Sequence, residues 1–270
     1  MKKKINKQNE DLKIYPIKID DSKLNNMGDA HYPLNTPVHL HLIVGRVKSG
    51  KSLLMNNLYL SHRFYGDEYK TKILISSTAH NDAINKFMLE EFDFIFTEFS
   101  DDLLNEIIDI IKNDEGDGRF LIIFDDIINS SQSFKKSGRT DLLTQIITTY
   151  RHIGNGEFEG KLAICMAVQY FKYLSPIARN NCSGYYIMGH FPESEIKKMS
   201  EALSIFGEDD KGFMKIYKES RKDDYDFLFL SVEHMEARRN HTDLLWSKKD
   251  GFASDKISVE NEENNFLEKS

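Results

Sequence analysis

The sequence lacks long apolar runs and has few cysteines. Only two of its 270 residues are cysteines, and Cys165 and Cys182 are too few for a disulfide framework or, alone, a zinc site. We expect buried thiols in a reducing compartment. No apolar run approaches the roughly 18 residues of a transmembrane helix. Residues 1–10 are basic and polar, without the apolar centre of a secretory signal. We therefore expect a protein that is not secreted and has no membrane segment.

Basic residues are also in deficit. The chain has 36 Lys and Arg against 43 Asp and Glu, a formal net charge of −7. A simple basic nucleic-acid coat protein is excluded by this balance. An oligomeric ring could still gather a few cationic side chains on one surface. Hydrophobic residues make up 40% and aromatics 11% of the chain, enough for a sizeable core.

Both ends of the chain are polar. We expect an N-terminal extension over residues 1–34, either a disordered leader or one carrying a short strand at Leu12–Ile19. Residues 248–270 are expected to form a flexible C-terminal tail or one that docks on a neighbour. A single folded domain would then span residues 35–247.

Within that domain, continuous apolar strands alternate with amphipathic helices. This alternation predicts an α/β fold with a mostly parallel sheet and helices on both faces. The predicted strands are Val38–Val44, Lys72–Ser76, Phe94–Thr97, Phe120–Phe124, Leu162–Val168 and Tyr185–Met188. The predicted helices are Lys51–Leu60, Leu103–Ile111, Leu142–Tyr150 and Glu193–Leu203. Phe213–Tyr217 and Phe227–Val232 are predicted to close the domain as a C-terminal β-hairpin.

A glycine loop follows the first strand and opens a helix. Its sequence, Gly45-Arg46-Val47-Lys48-Ser49-Gly50-Lys51-Ser52, fits the phosphate-binding pattern G-x-x-x-x-G-K-[ST] in the required strand–loop–helix context. Backbone N–H groups and the helix N-terminus would cradle the phosphates of ATP. Lys51 would contact the β- and γ-phosphates, and the Ser52 hydroxyl would ligate Mg²⁺.

A second apolar strand ends in two acids, Asp125 and Asp126. Asp125 would hold Mg²⁺ directly or through water, and Asp126 would polarise the attacking water. Gln169 closes the next buried strand and could orient that water or sense the γ-phosphate. Because ligands sit at the carboxyl ends of parallel strands, these groups are expected to converge.

Several other residues admit two interpretations. Arg151 and Arg179 could each reach a neighbour's γ-phosphate or form a surface salt bridge. His39 and His41 share one face of the first strand, and we interpret them as buried histidines rather than metal ligands. Three basic segments could contact DNA phosphates: Phe134–Arg139, Arg221–Lys222 and Arg238–Arg239. The alternative interpretation is that they are solvated loops without a nucleic-acid partner.

The order of these motifs resembles one family. The elements are Gly45-x4-Gly50-Lys51-Ser52, Phe124-Asp125-Asp126, Tyr150-Arg151-His152-x-Gly154, Gln169-Tyr170-x3-Leu174 and Ile177-x-Arg179-Asn180-Asn181. Together they resemble the genome-packaging ATPases of large DNA viruses and virophages, in the FtsK/HerA group of P-loop DNA translocases. The resemblance spans about Val38 to Val232.

The resemblance implies a RecA-like P-loop ATPase that pumps double-stranded DNA, without sequence preference, into a preformed capsid. It implies a homo-oligomeric ring, expected to be hexameric, that works with capsid vertex proteins in the host cytoplasm or virus factory, or with the virion. By that likeness Asp126 is the catalytic base and Gln169 the polar sensor. Arg179 is the better candidate for the arginine acting in trans, and Arg151 is the second. Many relatives in the wider group carry Glu where this chain has Asp126.

Two other functions fit the phosphate loop alone. One is another P-loop enzyme, such as a nucleotide or small-molecule kinase, which would need an Arg-rich lid that the sequence does not offer. The other is a non-enzymatic P-loop switch, against which Lys51, Ser52, Asp125 and Asp126 all argue.

Overall fold

The computed structural model describes residues 31–80, 86–126, 142–154 and 160–255. The predicted strand at Leu12–Ile19 and the basic segment Phe134–Arg139 lie outside these residues. None of the described helices is long and apolar enough to cross a bilayer.

The chain alternates between strands and helices, as the sequence predicts. The strands of the first, parallel part are β1 (Leu40–Gly45), β2 (Tyr69–Ser76), β3 (Phe94–Phe96), β4 (Arg119–Asp125), β5 (Leu162–Val168) and β6 (Gly184–Met188). The helices are α1 (Lys51–Leu60), α2 (Lys86–Glu91), α3 (Asp101–Asn113), α4 (Leu142–Thr149), α5 (Pro176–Asn180), α6 (Glu193–Leu203) and α7 (Asp210–Glu219). The chain then continues as β7 (Phe227–Ser231), β8 (Glu236–Arg239), β9 (Asp243–Ser247) and β10 (Gly251–Phe252).

All ten described strands form one mixed sheet, in the order β10-β9-β8-β7-β6-β1-β5-β4-β2-β3. The strands from β6 to β3 are parallel, and those from β7 to β10 are added antiparallel. Strand β5 lies between β1 and β4, with Val44 opposite Val168 and Asp125 opposite Ala167. The ends of β1, β4 and β5 therefore meet at one edge of the sheet.

Helices cover both faces of this sheet. Leu40, Leu42 and Val44 of β1 point to the core beneath α3, α4, α5, α6 and α7. Ile43 points to the opposite core, beneath α1 and α2. Because both faces of the central strands β1, β4, β5 and β6 are buried, these strands are apolar almost throughout, which is why their positions could be predicted closely.

The predicted pairing of Phe213–Tyr217 with Phe227–Val232 is wrong. Phe213–Tyr217 lies in α7, and Phe227–Ser231 is β7, which pairs with β6 and β8. The antiparallel C-terminal part of the sheet begins only at Phe227. The polar residues after Lys248 include β10, whose Phe252 packs against the core.

Candidate nucleotide site

The loop between β1 and α1 is held by its two glycines. Gly50, the residue before α1, has φ of 92°, a left-handed conformation that glycine adopts without penalty. A Cβ on Gly45 would lie 2.3 Å from the Ser49 hydroxyl oxygen. The loop therefore closes tightly and presents the N-terminus of α1, where backbone N–H groups favour an anion.

Lys51 lies at the start of α1 and is folded over the loop. Its ammonium donates hydrogen bonds to the carbonyl oxygens of Gly45, at 2.7 Å, and Arg46, at 3.3 Å. Burial lowers the pKa of Lys51, while the nearby carboxylates of Asp126 and Asp125 oppose that shift. The Lys51 side chain thus lies beside the loop and within electrostatic reach of both acids.

Asp125 ends β4 and is buried, 5% exposed. Its Oδ2 accepts a hydrogen bond of 3.3 Å from the hydroxyl of Ser76, which ends the neighbouring strand β2 and is fully buried. The Ser76 oxygen also accepts from the backbone N–H of Thr78. Sequence reasoning missed Ser76, although a serine at the carboxyl end of a predicted strand was the available signal.

Asp126 follows β4 and turns away from its neighbour. Its φ is 52°, in the left-handed region that few residues other than glycine enter. Both of its carboxylate oxygens accept from the side-chain amide of Gln169, at 3.3 Å each. The structure therefore joins these two predicted site residues directly, and the turn separates Asp126 from Asp125.

The donors available for a metal ion are oxygens. The hydroxyl of Ser52 lies in the first turn of α1, and the carboxylate of Asp125 ends β4. Mg²⁺ is bound in such sites by one or two protein oxygens together with phosphates and water. The described residues contain no cluster of three or more His, Cys, Asp or Glu side chains that could hold a metal alone. Ser52 and Asp125 therefore fit a metal that arrives with a phosphate ligand.

Two cavities adjoin the loop. One, of about 360 Å³, is lined by residues 46–49 of the loop and by Gln169, Tyr170, Gly189 and His190. It opens between the ends of β5 and β6. The other, of about 210 Å³, lies on the far side of Gly50 and is largely apolar, with Leu53, Phe64, Met188, Tyr225 and His241 among its lining residues.

The apolar cavity has an unusual rim. Tyr225 is 72% exposed and has φ of 70°. Burial, reinforced by the charge of Arg238, lowers the pKa of His241 to about 4, so its imidazole is neutral. The Nε2 atom of His241 is buried and has no hydrogen-bond partner among the described residues. A flat ligand with polar edges would complement these walls.

The two candidate arginines lie in two short elements, the 3₁₀ turn Tyr150–His152 and the helix α5. Arg151 is exposed beside the beginning of β5, and its Nε donates to the Tyr150 hydroxyl at 3.0 Å. Arg179 lies in α5, half-exposed, with its guanidinium carbon 4.8 Å from the centre of the Phe171 ring. Neither arginine forms an ion pair with another described residue.

Three of the other basic candidates, Arg221, Arg238 and Arg239, bind partners within the fold, whereas Lys222 is exposed. Arg221 donates to the carbonyl oxygens of Asp226 and Ile187. Arg238 is 7% exposed and paired with Glu236, and Arg239 is paired with Asp243. These three guanidinium groups hold loops and strands together, which explains their positions without any external partner.

The chain matches no model of a protein family and no curated protein. Among solved structures it is similar to B204, the DNA-packaging ATPase of Sulfolobus turreted icosahedral virus, with TM-score 0.55 and 15% identity over 75% of this chain and 97% of that one. The chain has the fold of a viral packaging ATPase.

The likeness extends to nucleotide complexes. The genome packaging NTPase B204 of Sulfolobus turreted icosahedral virus 2, in complex with ATP-γS, matches with TM-score 0.53 and 14% identity, covering 75% of this chain and 97% of that one. The AMP complex gives the same TM-score, with 15% identity over 74% and 96%. The expected RecA-like P-loop ATPase fold is thereby confirmed; at this level of identity, the likeness concerns the fold.

Proposed function

We propose that this chain is an ATP-driven translocase of double-stranded DNA that packages a viral genome into a preformed capsid. The observation that carries the proposal is the convergence of Lys51, Asp125, Asp126 and Gln169 at one edge of the sheet, in the packaging-ATPase fold. The order of motifs along the chain supports the same family.

In the proposed reaction, water attacks the γ-phosphorus of ATP and ADP leaves. The loop 45–52 and Lys51 bind the phosphates, and Ser52 and Asp125 hold Mg²⁺. A bound Mg²⁺ would neutralise charge on the phosphate oxygens. Asp126 accepts the proton from the attacking water, and the Gln169 amide keeps the Asp126 carboxylate in place through its two hydrogen bonds.

The apolar cavity would hold the nucleotide base. It adjoins Gly50 and Leu53 at the first turn of α1, so a base bound there stays within reach of phosphates in the loop. The Tyr225 ring offers a stacking surface and His241 a polar atom. Aromatic stacking and one polar contact are typical of base recognition.

A ring of identical subunits, expected to be hexameric, would complete each site with an arginine from a neighbour. Arg179 is the better candidate, because its Nε has no hydrogen-bond partner among the described residues, whereas the Nε of Arg151 donates to the Tyr150 hydroxyl. The ring would contact double-stranded DNA through its phosphates and would meet capsid vertex proteins. Its place would be the host cytoplasm, the virus factory or the virion.

The test is ATP hydrolysis by the purified chain, with and without long double-stranded DNA. We expect hydrolysis that DNA stimulates severalfold and that Lys51→Ala abolishes. Hydrolysis indifferent to DNA would contradict the translocase and favour a P-loop enzyme acting on a small substrate, such as a kinase. The matched control is Lys70→Ala, an exposed lysine remote from the loop and paired with Asp114, which should leave hydrolysis unchanged.

A further inference from the structure

One short segment, residues 169–171, carries one proposed catalytic group, Gln169, and a ring that contacts another, Arg179. Phe171 begins a short 3₁₀ turn, Phe171–Tyr173, two residues after Gln169. Gln169 contacts Asp126, and the face of the Phe171 ring contacts the guanidinium of Arg179, 4.8 Å from the ring centre. Phe171 is fully buried. This short segment therefore contacts both Asp126 of its own subunit and Arg179, the arginine that we assign to a neighbour's site.

The backbone of Arg179 is held firmly. Its N–H donates to the Ser175 carbonyl at 3.1 Å. Its carbonyl oxygen accepts from the Cys182 N–H, at 3.2 Å, and from the Tyr185 hydroxyl. The starting point of the arginine side chain is therefore fixed, and its direction depends on what the guanidinium touches.

The guanidinium itself has few contacts in the described part of the chain. Its Nε is buried without a hydrogen-bond partner there, and no described carboxylate pairs with it. Other arginines differ: Arg119 is paired with Glu68, at 3.0 Å. A cation over the face of an aromatic ring is attracted by the ring quadrupole, so the Phe171 ring is the contact that aims Arg179.

We propose that Phe171 is a positioning residue that couples Gln169 of one subunit to the arginine this subunit offers to its neighbour. Only Tyr170 separates Gln169 from Phe171, and closely packed cores transmit small shifts. A displacement of Gln169 at the γ-phosphate would move the ring and redirect the guanidinium. This inference rests on the proposed function, because it needs ATP at one site and Arg179 at the next.

The first test compares two buried phenylalanines. Phe171→Leu keeps an apolar side chain but removes the ring face under Arg179. The control is Phe206→Leu: Phe206 is also fully buried in the same core and packs against Trp246 rather than an arginine. We expect Phe171→Leu to lower kcat at least tenfold with KM for ATP unchanged, and Phe206→Leu to stay within twofold at a similar melting temperature. Equal losses of kcat would overturn the proposal.

The second test mixes subunits. Lys51→Ala subunits cannot use their own site but keep Phe171 and Arg179, so they should restore hydrolysis to Phe171→Leu and to Arg179→Ala subunits. The double variant Phe171→Leu/Lys51→Ala should fail to restore Arg179→Ala. If it restores hydrolysis as well as Lys51→Ala does, Phe171 has no role in aiming the arginine.

Failure of the proposed function would look different. In that case the wild-type chain would hydrolyse no ATP, or Lys51→Ala would hydrolyse it as fast as wild type, and both proposals would fall. Full activity of Arg179→Ala alone would leave the ATPase standing and overturn the role of Phe171.

Discussion

Asp126 has a backbone that few aspartates adopt and a side chain held by an amide. Its left-handed φ of 52° costs on the order of 1 kcal/mol. Such strained positions cluster at functional sites. The turn sends the Asp126 carboxylate to Gln169 while Asp125 remains bonded to Ser76. Two adjacent acids can therefore serve two purposes, as the sequence suggested from the strand end alone.

The role of Asp126 as base can be tested with its amide. Asp126→Asn should bind ATP as wild type does, because the charge is removed without a change in shape, and kcat should fall about 10² to 10⁴-fold. Binding of a non-hydrolysable ATP analogue and steady-state hydrolysis measure the two effects. Asp224→Asn, an exposed aspartate, should change neither. Undiminished turnover in Asp126→Asn would place the base elsewhere.

Ser76 is the site residue that sequence reasoning missed. No motif marks it, because its role comes from the pairing of β2 beside β4, which brings its hydroxyl to Asp125. A group that orients a metal-binding acid commonly contributes tenfold or more to metal affinity.

Ser76→Ala should therefore raise the Mg²⁺ concentration needed for half-maximal hydrolysis about tenfold. Ser76→Thr keeps the hydroxyl and should retain most of the affinity. Ser77→Ala, at the exposed neighbouring position, is the control. A Mg²⁺ titration of hydrolysis with unchanged half-saturation in Ser76→Ala would show that Asp125 needs no such support.

Among the elements, the loop before β7 makes one wall of the apolar cavity. Tyr225→Ala should raise KM for ATP about fivefold, with kcat unchanged, since a stacking contact is worth about 1 kcal/mol. Tyr225→Phe should behave as wild type. Ile205→Ala removes another exposed apolar side chain, one outside the residues lining this cavity, and should leave KM unchanged. An unaltered KM for ATP in Tyr225→Ala would mean that the nucleotide base does not bind in this cavity.

The central parallel strands β1, β4, β5 and β6 were predictable because each is buried on both faces. The observed bounds of β5, Leu162–Val168, match the predicted ones. The helix over Phe213–Tyr217 could not be predicted in the same way. A segment of five residues with aromatic and aliphatic side chains fits both the period of a helix and the period of a strand. Its buried members are Phe213, Ile216 and Tyr217, at helical spacing. Asp209 caps the helix by accepting from the Gly212 N–H at 2.7 Å. That cap, together with the spacing, was the signal for α7.

At the scale of the whole molecule, a buried polar chain ties β1 to α1. The rings of His39 and His41 stack with centroids 3.5 Å apart, and both contact the Tyr59 hydroxyl at 3.1 Å. One arrangement of protons satisfies every member: Asn35 donates to His41, His41 to Tyr59, Tyr59 to His39, and His39 to the Thr36 carbonyl. In it both histidines are neutral.

These histidines make stability depend on pH. Burial lowers the pKa of His39 to about 3 and that of His41 well below its ordinary value, and His241 is lowered to about 4. Below about pH 6.5 the unfolded chain therefore binds more protons than the folded chain. The free energy of unfolding has its full value above that pH and falls as the pH decreases. Each histidine contributes about 1.4 kcal/mol per pH unit.

Between pH 7.5 and 5.5 the free energy of unfolding should drop by about 4 kcal/mol, since three histidines titrate over about one pH unit. Denaturant unfolding at the two values measures it. His241→Phe, which suits its aromatic neighbours Phe64 and Phe227, should reduce the drop by about a third. His62→Gln, at an exposed site, should leave it intact. A pH-independent free energy would mean that the stack accepts protons when folded.

The described sheet has ten strands, but its two edge strands are short: β10 has two residues and β3 has three. Long, flat, unpaired strands are templates on which other chains add and aggregate. Margins this short offer few backbone groups for such addition. In the proposed ring, subunits would therefore associate through side chains of helices and loops, and such a ring could dissociate without breaking the hydrogen bonds of a shared sheet.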